Sequence, residues 1–284
     1  MIFRKSEKAP ERLPGEDIFD YIDRLREGGF KAPAKRMIKT EEQILGCREA
    51  GRINSLVLDA VEREISVGMT TAEIDRIVRD TTAALGARSA TLGYEGYPAS
   101  VCTSVNGVVC HGIPSEKQIL REGDIINVDC TTEYGGYFGD ASRMFTFGKI
   151  SDEAKRLIDT TQNALLRAVE AIKPYETHLG DIGYIINSTA KAAGFSVVRE
   201  IGGHGVGLAM HEDPFVAHVG VRGAGMVLLP GMIFTIEPMV NAGSPRVYVD
   251  RKDGWTVRTL DGSLSAQIEY ELLVTEQGVE ILSK

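Results

Sequence analysis

Two aspartates, Asp129 and Asp140, stand on either side of the glycine pair Gly135-Gly136. They belong to two strand-like segments, Ile125-Ile126-Asn127-Val128-Asp129-Cys130 and, just after Gly139-Asp140, Ala141-Ser142-Arg143-Met144-Phe145-Thr146-Phe147. A glycine pair between such segments predicts an antiparallel hairpin. With the turn at Tyr134 and Gly135, Asp129 falls directly opposite Asp140. Side chains so placed lie about 5 Å apart at Cβ, where like charges repel. Such a pair wants a cation between its members, although two surface aspartates beside a turn would show the same spacing.

Other residues add weight to the cation. Glu237 lies in Phe234-Thr235-Ile236-Glu237-Pro238, an otherwise apolar strand, where a carboxylate is costly to bury unless a charge or metal pairs with it. Glu269, in Gln267-Ile268-Glu269-Tyr270-Glu271, alternates with apolar neighbours and on that pattern alone would face solvent. Of the five histidines, His204 sits among glycines that let backbones approach closely, and His111 and His211 occupy turns flanked by glycine or proline. A lone histidine in such a place is usually structural. Four carboxylates with one imidazole suit hard or borderline divalent ions (Co, Mn, Fe, Ni or Zn) better than a thiolate site would. The segment Gly202-Gly203-His204-Gly205-Val206-Gly207 has neither GxGxxG spacing nor a following Lys-Ser/Thr, so it does not read as a phosphate loop.

The elements that must position these residues follow from periodicity. Thr40 can cap a helix in which Ile44, Ile53, Leu56, Val57 and Val61 supply apolar spacing, and a second helix is predicted from Thr71 to about Leu85. A shift of 108 residues matches Ala60-Val61-Glu62 with Ala168-Val169-Glu170, Ile74 with Ile182, Thr81 with Thr189, and Gly86 with Gly194. The helical pair therefore reads as duplicated, or as two amphipathic pairs that agree by chance. Strand-like sequence follows each pair, the later segments running from Met232 to Glu237 and from Ala266 to Val274. The order predicts an α+β fold, two halves closing around one sheet.

At 284 residues the chain can bury a core unaided. Its apolar and charged fractions, 43% and 25%, are those of an ordinary globular protein. No apolar stretch is long enough to span a bilayer and the start lacks the apolar centre of a secretory signal, so a cytoplasmic location is expected. Cys47, Cys102, Cys110 and Cys130 form no CxxC pair and fit reduced thiols. A net charge of -8 argues against wrapping nucleic acid. Residues 1 to 40, however, carry ten Lys or Arg against seven Asp or Glu, a weakly basic arm before an acidic body. The arm, with prolines at 10, 14 and 33 and one amphipathic stretch from Asp17 to Leu25, is expected to be a loosely packed extension that short-peptide hydrolysis can do without. Its charge suggests contact with ribosomal RNA or with the acidic body.

Several segments together resemble the type I methionine aminopeptidases of the pita-bread fold: Gly93-Tyr94-Glu95-Gly96-Tyr97-Pro98, Val109-Cys110-His111-Gly112-Ile113-Pro114, Asn127-Val128-Asp129, Gly139-Asp140, Gly203-His204-Gly205-Val206-Gly207, His211-Glu212-Asp213-Pro214, Phe234-Thr235-Ile236-Glu237-Pro238 and Ser265-Ala266-Gln267-Ile268-Glu269. The resemblance covers about residues 38 to 283. It implies a catalytic domain over 38–284 after an N-terminal extension, 1–37, and two pseudo-symmetric α+β halves around a curved, mainly antiparallel sheet. It also implies two divalent metal ions held by Asp129, Asp140, His204, Glu237 and Glu269, with Asp140 and Glu269 bridging. The implied activity is hydrolysis, by a metal-activated water, of the bond after the initiator methionine of nascent proteins, favouring small second residues. His211 would donate to the substrate carbonyl oxygen, His111 would contact the scissile nitrogen, and Glu237 would relay a proton. Tyr94, Tyr97, Cys102, Met210 and Trp255 match positions around the methionine side chain. Met210 replaces a common aromatic, Thr91 stands where some members carry cysteine, and Tyr270 follows Glu269 where histidine is frequent. Proline-cleaving peptidases of the same fold usually carry a full N-terminal domain, and non-catalytic proteins on this scaffold have generally lost ligands; neither pattern is expected here.

Overall fold

A computed structural model of the chain describes residues 9–284. Among them are five α-helices: α1 (Ile18–Glu27), α2 (Glu41–Glu64), α3 (Thr71–Ala84), α4 (Asp152–Glu170) and α5 (Leu179–Ala192). The caps explain where two of them begin. Thr40 accepts from the Gln43 N–H while the Gln43 side chain accepts from the Thr40 N–H, and Thr70 and Glu73 close the same box ahead of α3. Shifting α3 by 108 residues gives the bounds of α5, and the same shift carries the short strand Arg88–Ser89 onto Ser196–Val197. The repeat read in the sequence is thus present in the order and length of the elements.

Every strand pairing among the described residues is antiparallel. In the first half, Ile125–Tyr134 and Tyr137–Thr146 form the long hairpin, with Cys102–Val105 on the far side of the first strand. Helices α2 and α3 cover it, burying Val57, Leu58, Val61, Ile74 and Val78 against Ile126 and Val128. In the second half a five-stranded ladder runs Val279–Ser283, Tyr270–Val274, Ile233–Ile236, Gly203–Gly205, Glu212–Val216. The halves meet at a bridge between Ser142 and Glu269.

The structure corrects two expectations about the strands. The hairpin turns at Gly135-Gly136, both with positive φ (62° and 88°), as a two-residue turn of this hand requires. Asp129 therefore pairs with Ser142, and Asp140 with Thr131. The slip is two residues, so both aspartates keep the same face and become diagonal neighbours. The segment from Ala266 to Val274 is not one strand either: Ser265–Gln267 pairs with Met239–Asn241, and Tyr270–Val274 with Ile233–Ile236. Glu237 and Glu269 both sit where the chain passes from one ladder to the other. Pro238, which has no N–H to give a ladder, marks the first of these switches.

From Ala9 onward the N-terminal segment is not loosely packed, and the part of that expectation that falls on residues 1–8 lies outside the described residues. Tyr21, Ile22 and Leu25 are fully buried in the same core as Leu157, Leu165, Ile182 and Phe234. Tyr21 meets the edge of Tyr175 with ring centroids 5.6 Å apart. Among its described basic side chains, Arg12 pairs with Glu276, Arg24 with Glu16 and Arg36 with Asp213. Leu25→Ala should accordingly lower stability by about 2 to 5 kcal/mol, the usual cost of emptying a filled core site. Denaturant unfolding checks it, and a loss under about 0.5 kcal/mol, the scale of a surface change, would restore the loose-arm view. No helix among the described residues is long and apolar enough to cross a membrane.

Candidate metal centre and substrate cavity

Four carboxyls and one imidazole gather on the concave side of the sheets. Asp129 and Asp140 come from the two hairpin strands, His204 from Gly203–Gly205, and Glu237 and Glu269 from the two ladder switches. The Nε2 of His204 lies 3.6 Å from Glu237 Oε1 and 3.7 Å from Asp140 Oδ2. Ligand atoms of Asp140, His204 and Glu269 all fall within 4.8 Å of one another, and Asp129 opens onto the same cavity. Glycines flank His204 because its strand is squeezed between two others: a Cβ at Gly203 would strike the Thr235 carbonyl, and one at Gly205 that of Asp213.

The electrostatics describe a site that lacks positive charge of its own. Burial, then the neighbouring carboxylates, push Asp140, Glu237 and Glu269 well above the ordinary carboxylate range. Burial raises Asp129 to about 7. Among the described residues no Lys or Arg lines the cavity to offset them. The histidine is already prepared as a ligand: its Nδ1 stands 3.0 Å from the Gly205 carbonyl, which can only accept. That contact fixes the proton on Nδ1 and leaves the Nε2 lone pair turned toward the carboxyls. Burial, then His211, lowers His204 to about 4, so it is neutral at pH 7. Hard oxygens with one imidazole, converging and uncompensated, fit divalent cations.

Supporting groups hold the carboxyls, and most went unnoticed in the sequence. Thr131 donates to Asp140 at 3.0 Å, Thr235 to Glu237 at 2.9 Å and Gln267 to Glu237 at 3.1 Å. The Asp140 N–H donates to buried Glu271 at 3.0 Å, and that of Glu237 to His218 at 3.2 Å. Thr131, Thr235, Gln267 and Glu271 each lie two residues from a candidate ligand. Two-residue alternation along a strand is the signal that could have found them.

Beside the carboxyls is a cavity of about 350 Å³. All twelve residues singled out in the sequence line it: His111, His211, Tyr94, Tyr97, Cys102, Met210 and Trp255 as well as the five candidate ligands. On its apolar side Tyr97, Cys102 and Trp255 line it, packed in one cluster with Ala99 and Ile113 behind them. Trp255 stands edge-on to both Tyr97 (5.2 Å) and His111 (6.0 Å). His211 stacks 4.2 Å from His204 and has its Nδ1 2.9 Å from the Tyr94 hydroxyl. Thr91 also lines the wall, whereas Tyr270 takes a hydrogen bond from Gln162 and is not part of it. Glu95, Thr131, Glu200, Ile201, Gly202 and Phe215, given no role in the sequence reading, complete the lining.

A curved antiparallel scaffold of two repeated halves, with carboxylates and one histidine at the seam, defines a metallopeptidase. The chain belongs to metallopeptidase family M24, whose model matches residues 46–276. Within that family its kinship is with the methionine aminopeptidases. It is 49% identical to the methionine aminopeptidase of Escherichia coli K12 over 247 residues, 87% of this chain and 93% of that one. Methionine aminopeptidase A of Synechocystis is 47% identical over 245 residues, 86% of this chain and 96% of the relative. The solved methionine aminopeptidase of Rickettsia prowazekii superposes with a TM-score of 0.85 at 41% identity, covering 87% of this chain and 99% of that one. The prolidase of Pyrococcus furiosus shares the fold at a TM-score of 0.72 and 25% identity, over 88% of this chain and 66% of that one. Use of divalent metal for hydrolysis comes with this membership.

Proposed function

We propose that the chain removes N-terminal methionine from nascent polypeptides, and that Asp129, Asp140, His204, Glu237 and Glu269 would hold the two divalent ions this hydrolysis uses. The observation that carries it is one cavity in which a cation-seeking carboxylate cluster faces an apolar wall able to take a thioether. Divalent ions in such a site lower the pKa of water from 15.7 to about 7 and polarise a carbonyl. The identity of the ion, whether Co, Mn, Fe, Ni or Zn, is left to measurement.

The chain's own residues do the rest. Tyr97, Cys102, Met210 and Trp255 hold the methionine side chain and keep water from it, with Tyr94 above them. His211 Nδ1 lies 2.9 Å from the Tyr94 hydroxyl; in the tautomer where that hydroxyl donates, the proton of His211 is on Nε2 and can be given to the substrate carbonyl oxygen as it gains charge. His111 is held near 4 by burial, then by His211, and meets the scissile nitrogen as a neutral ring. Glu237 takes the proton of the attacking water and hands it to the leaving amine.

In this assignment residues 38–284 carry the chemistry and 1–37 support it. Pairing of the described basic residues of the arm within the protein favours the acidic body over ribosomal RNA as its partner; Arg4, Lys5 and Lys8 lie outside the described residues. Action on nascent chains supports the cytoplasmic location expected from the sequence.

Peptide discrimination tests the assignment. Met-Ala-Ser should be cleaved at a kcat/KM more than about tenfold above Met-Leu-Ser, the scale of steric selection in a confined subsite, and Ala-Pro-Ser should be refused. Preference for Ala-Pro-Ser would make the chain a proline-cleaving peptidase instead.

A further inference from the structure

We infer that the ion pair between buried Lys39 and half-buried Glu212 positions the loop from Gly207 to His211, and so sets the aim of His211 in the substrate cavity. The inference rests on the assignment of His211 to the substrate carbonyl made above. Lys39 precedes the cap of α2, far in sequence from the loop, and its side chain is only 2% exposed. Lysine is almost never buried to that degree without a partner. Here the partner is Glu212 Oε2, 2.5 Å from Nζ.

The other oxygen of Glu212 turns back on the loop. Oε1 accepts the Leu208 N–H at 2.7 Å and the Ala209 N–H at 3.1 Å. One carboxylate thereby collects three donors, two of them from the backbone just ahead of Met210 and His211. The loop's entry is fixed separately, since the Phe138 N–H donates to the Gly207 carbonyl at 3.0 Å. Gly207, at φ +129°, has no room for a side chain between Cys47 Sγ and the Lys39 stem. The Lys39 N–H in turn donates to the Gly231 carbonyl at 2.9 Å, at the turn that leads into Ile233–Ile236 and Glu237. Lys39 therefore ties the His211 loop to the strand that presents Glu237.

Stability alone does not explain such a pair. Burying two charges costs several kcal/mol per ion, and apolar residues of similar volume often stabilise as well or better. What the pair adds is direction, because the carboxylate must hold two particular N–H groups while the ammonium fixes the carboxylate. A misplacement of about 1 Å in a catalytic group can cost on the order of a hundredfold in rate.

The test is a double-mutant cycle on Met-Ala-Ser, with metal content and thermal midpoint measured on every variant. Glu212→Ala should lower kcat by about ten- to a hundredfold with KM and metal content little changed. In a His211→Ala background the same substitution should lower kcat by less than about twofold, since the two act as one unit. Lys39→Met combined with Glu212→Gln, which keeps an acceptor for Leu208 and Ala209 but loses the ammonium that fixes it, should stay about tenfold or more below the parent in kcat, and recovery to the parent rate would overturn the role of the ion pair. If Glu212→Ala does not fold, Lys39→Met carries the same cycle with the backbone contacts of Glu212 in place. Equal losses in the two backgrounds, or an unchanged kcat in both single variants, would overturn the positioning role. An unchanged kcat in His211→Ala alone would overturn the assignment of His211 and the positioning inference with it.

Discussion

Glu269→Ala is expected to lose metal and turnover together. Glu269 is 2% exposed and sits where the chain leaves one ladder for the other, with its backbone bridged to Ser142. Its carboxyl is crowded by Asp140, Glu237 and Asp129, in that order of influence after burial itself. As a bridge it would give an oxygen to each of two ions, so its removal weakens both positions at once. The loss of affinity should exceed the roughly 10- to 100-fold that follows loss of a mere supporting contact. Heat denaturation gives an independent reading. Saturating divalent ion at about a hundred times its dissociation constant should stabilise the parent by about 2.7 kcal/mol and the variant hardly at all. The chelated variant should be no less stable than the chelated parent by more than a small margin, since a buried carboxyl without a cation is itself a burden. A variant that keeps both ions tightly and turns over at the parent rate would exclude Glu269 as a bridge.

His111→Ala and His211→Ala should do the opposite, losing about a hundredfold or more in kcat at near-normal metal content. His204 is the only histidine that turns a ring nitrogen into the carboxyl cluster at 3.6 to 3.7 Å among the ion pairs described. His211 stacks on His204, and His111 faces Trp255. Both histidines line the cavity on the substrate side, and both would interact most strongly as charge develops. KM should therefore move less than kcat. Metal loss in either variant as severe as in Glu269→Ala would make that histidine a ligand and dissolve the division of roles.

What the sequence revealed and concealed divides along physical lines. Asp129 and Asp140 stood out as like charges brought together by a hairpin, and Glu237 as a carboxylate in an otherwise apolar strand. Glu269 did not, since Gln267-Ile268-Glu269-Tyr270-Glu271 alternates like a solvent-facing strand, and only the switch between ladders turns it inward. The hairpin was legible and its register was not, because either of two adjacent glycine-containing turns satisfies the same sequence. The fold of α1 could be read from its spacing, but not its burial, which depends on α4 and Tyr175 more than a hundred residues away. For the same reason Lys39 passed as an ordinary charged residue ahead of a cap. Its partner, Glu212, is 173 positions further on.

If five side chains at the seam of the two halves hold two divalent ions, as proposed, the chain without those ions cannot cleave methionine from a peptide. Native mass spectrometry of chelated protein, titrated anaerobically with single metals while Met-Ala-Ser turnover is followed in the same samples, tests it directly. The expected result is no turnover in the metal-free protein, with activity rising as ions bind to a limit of two per chain. Full turnover in protein shown to be metal-free would contradict it, as would activity that saturates with no ion bound at this cluster.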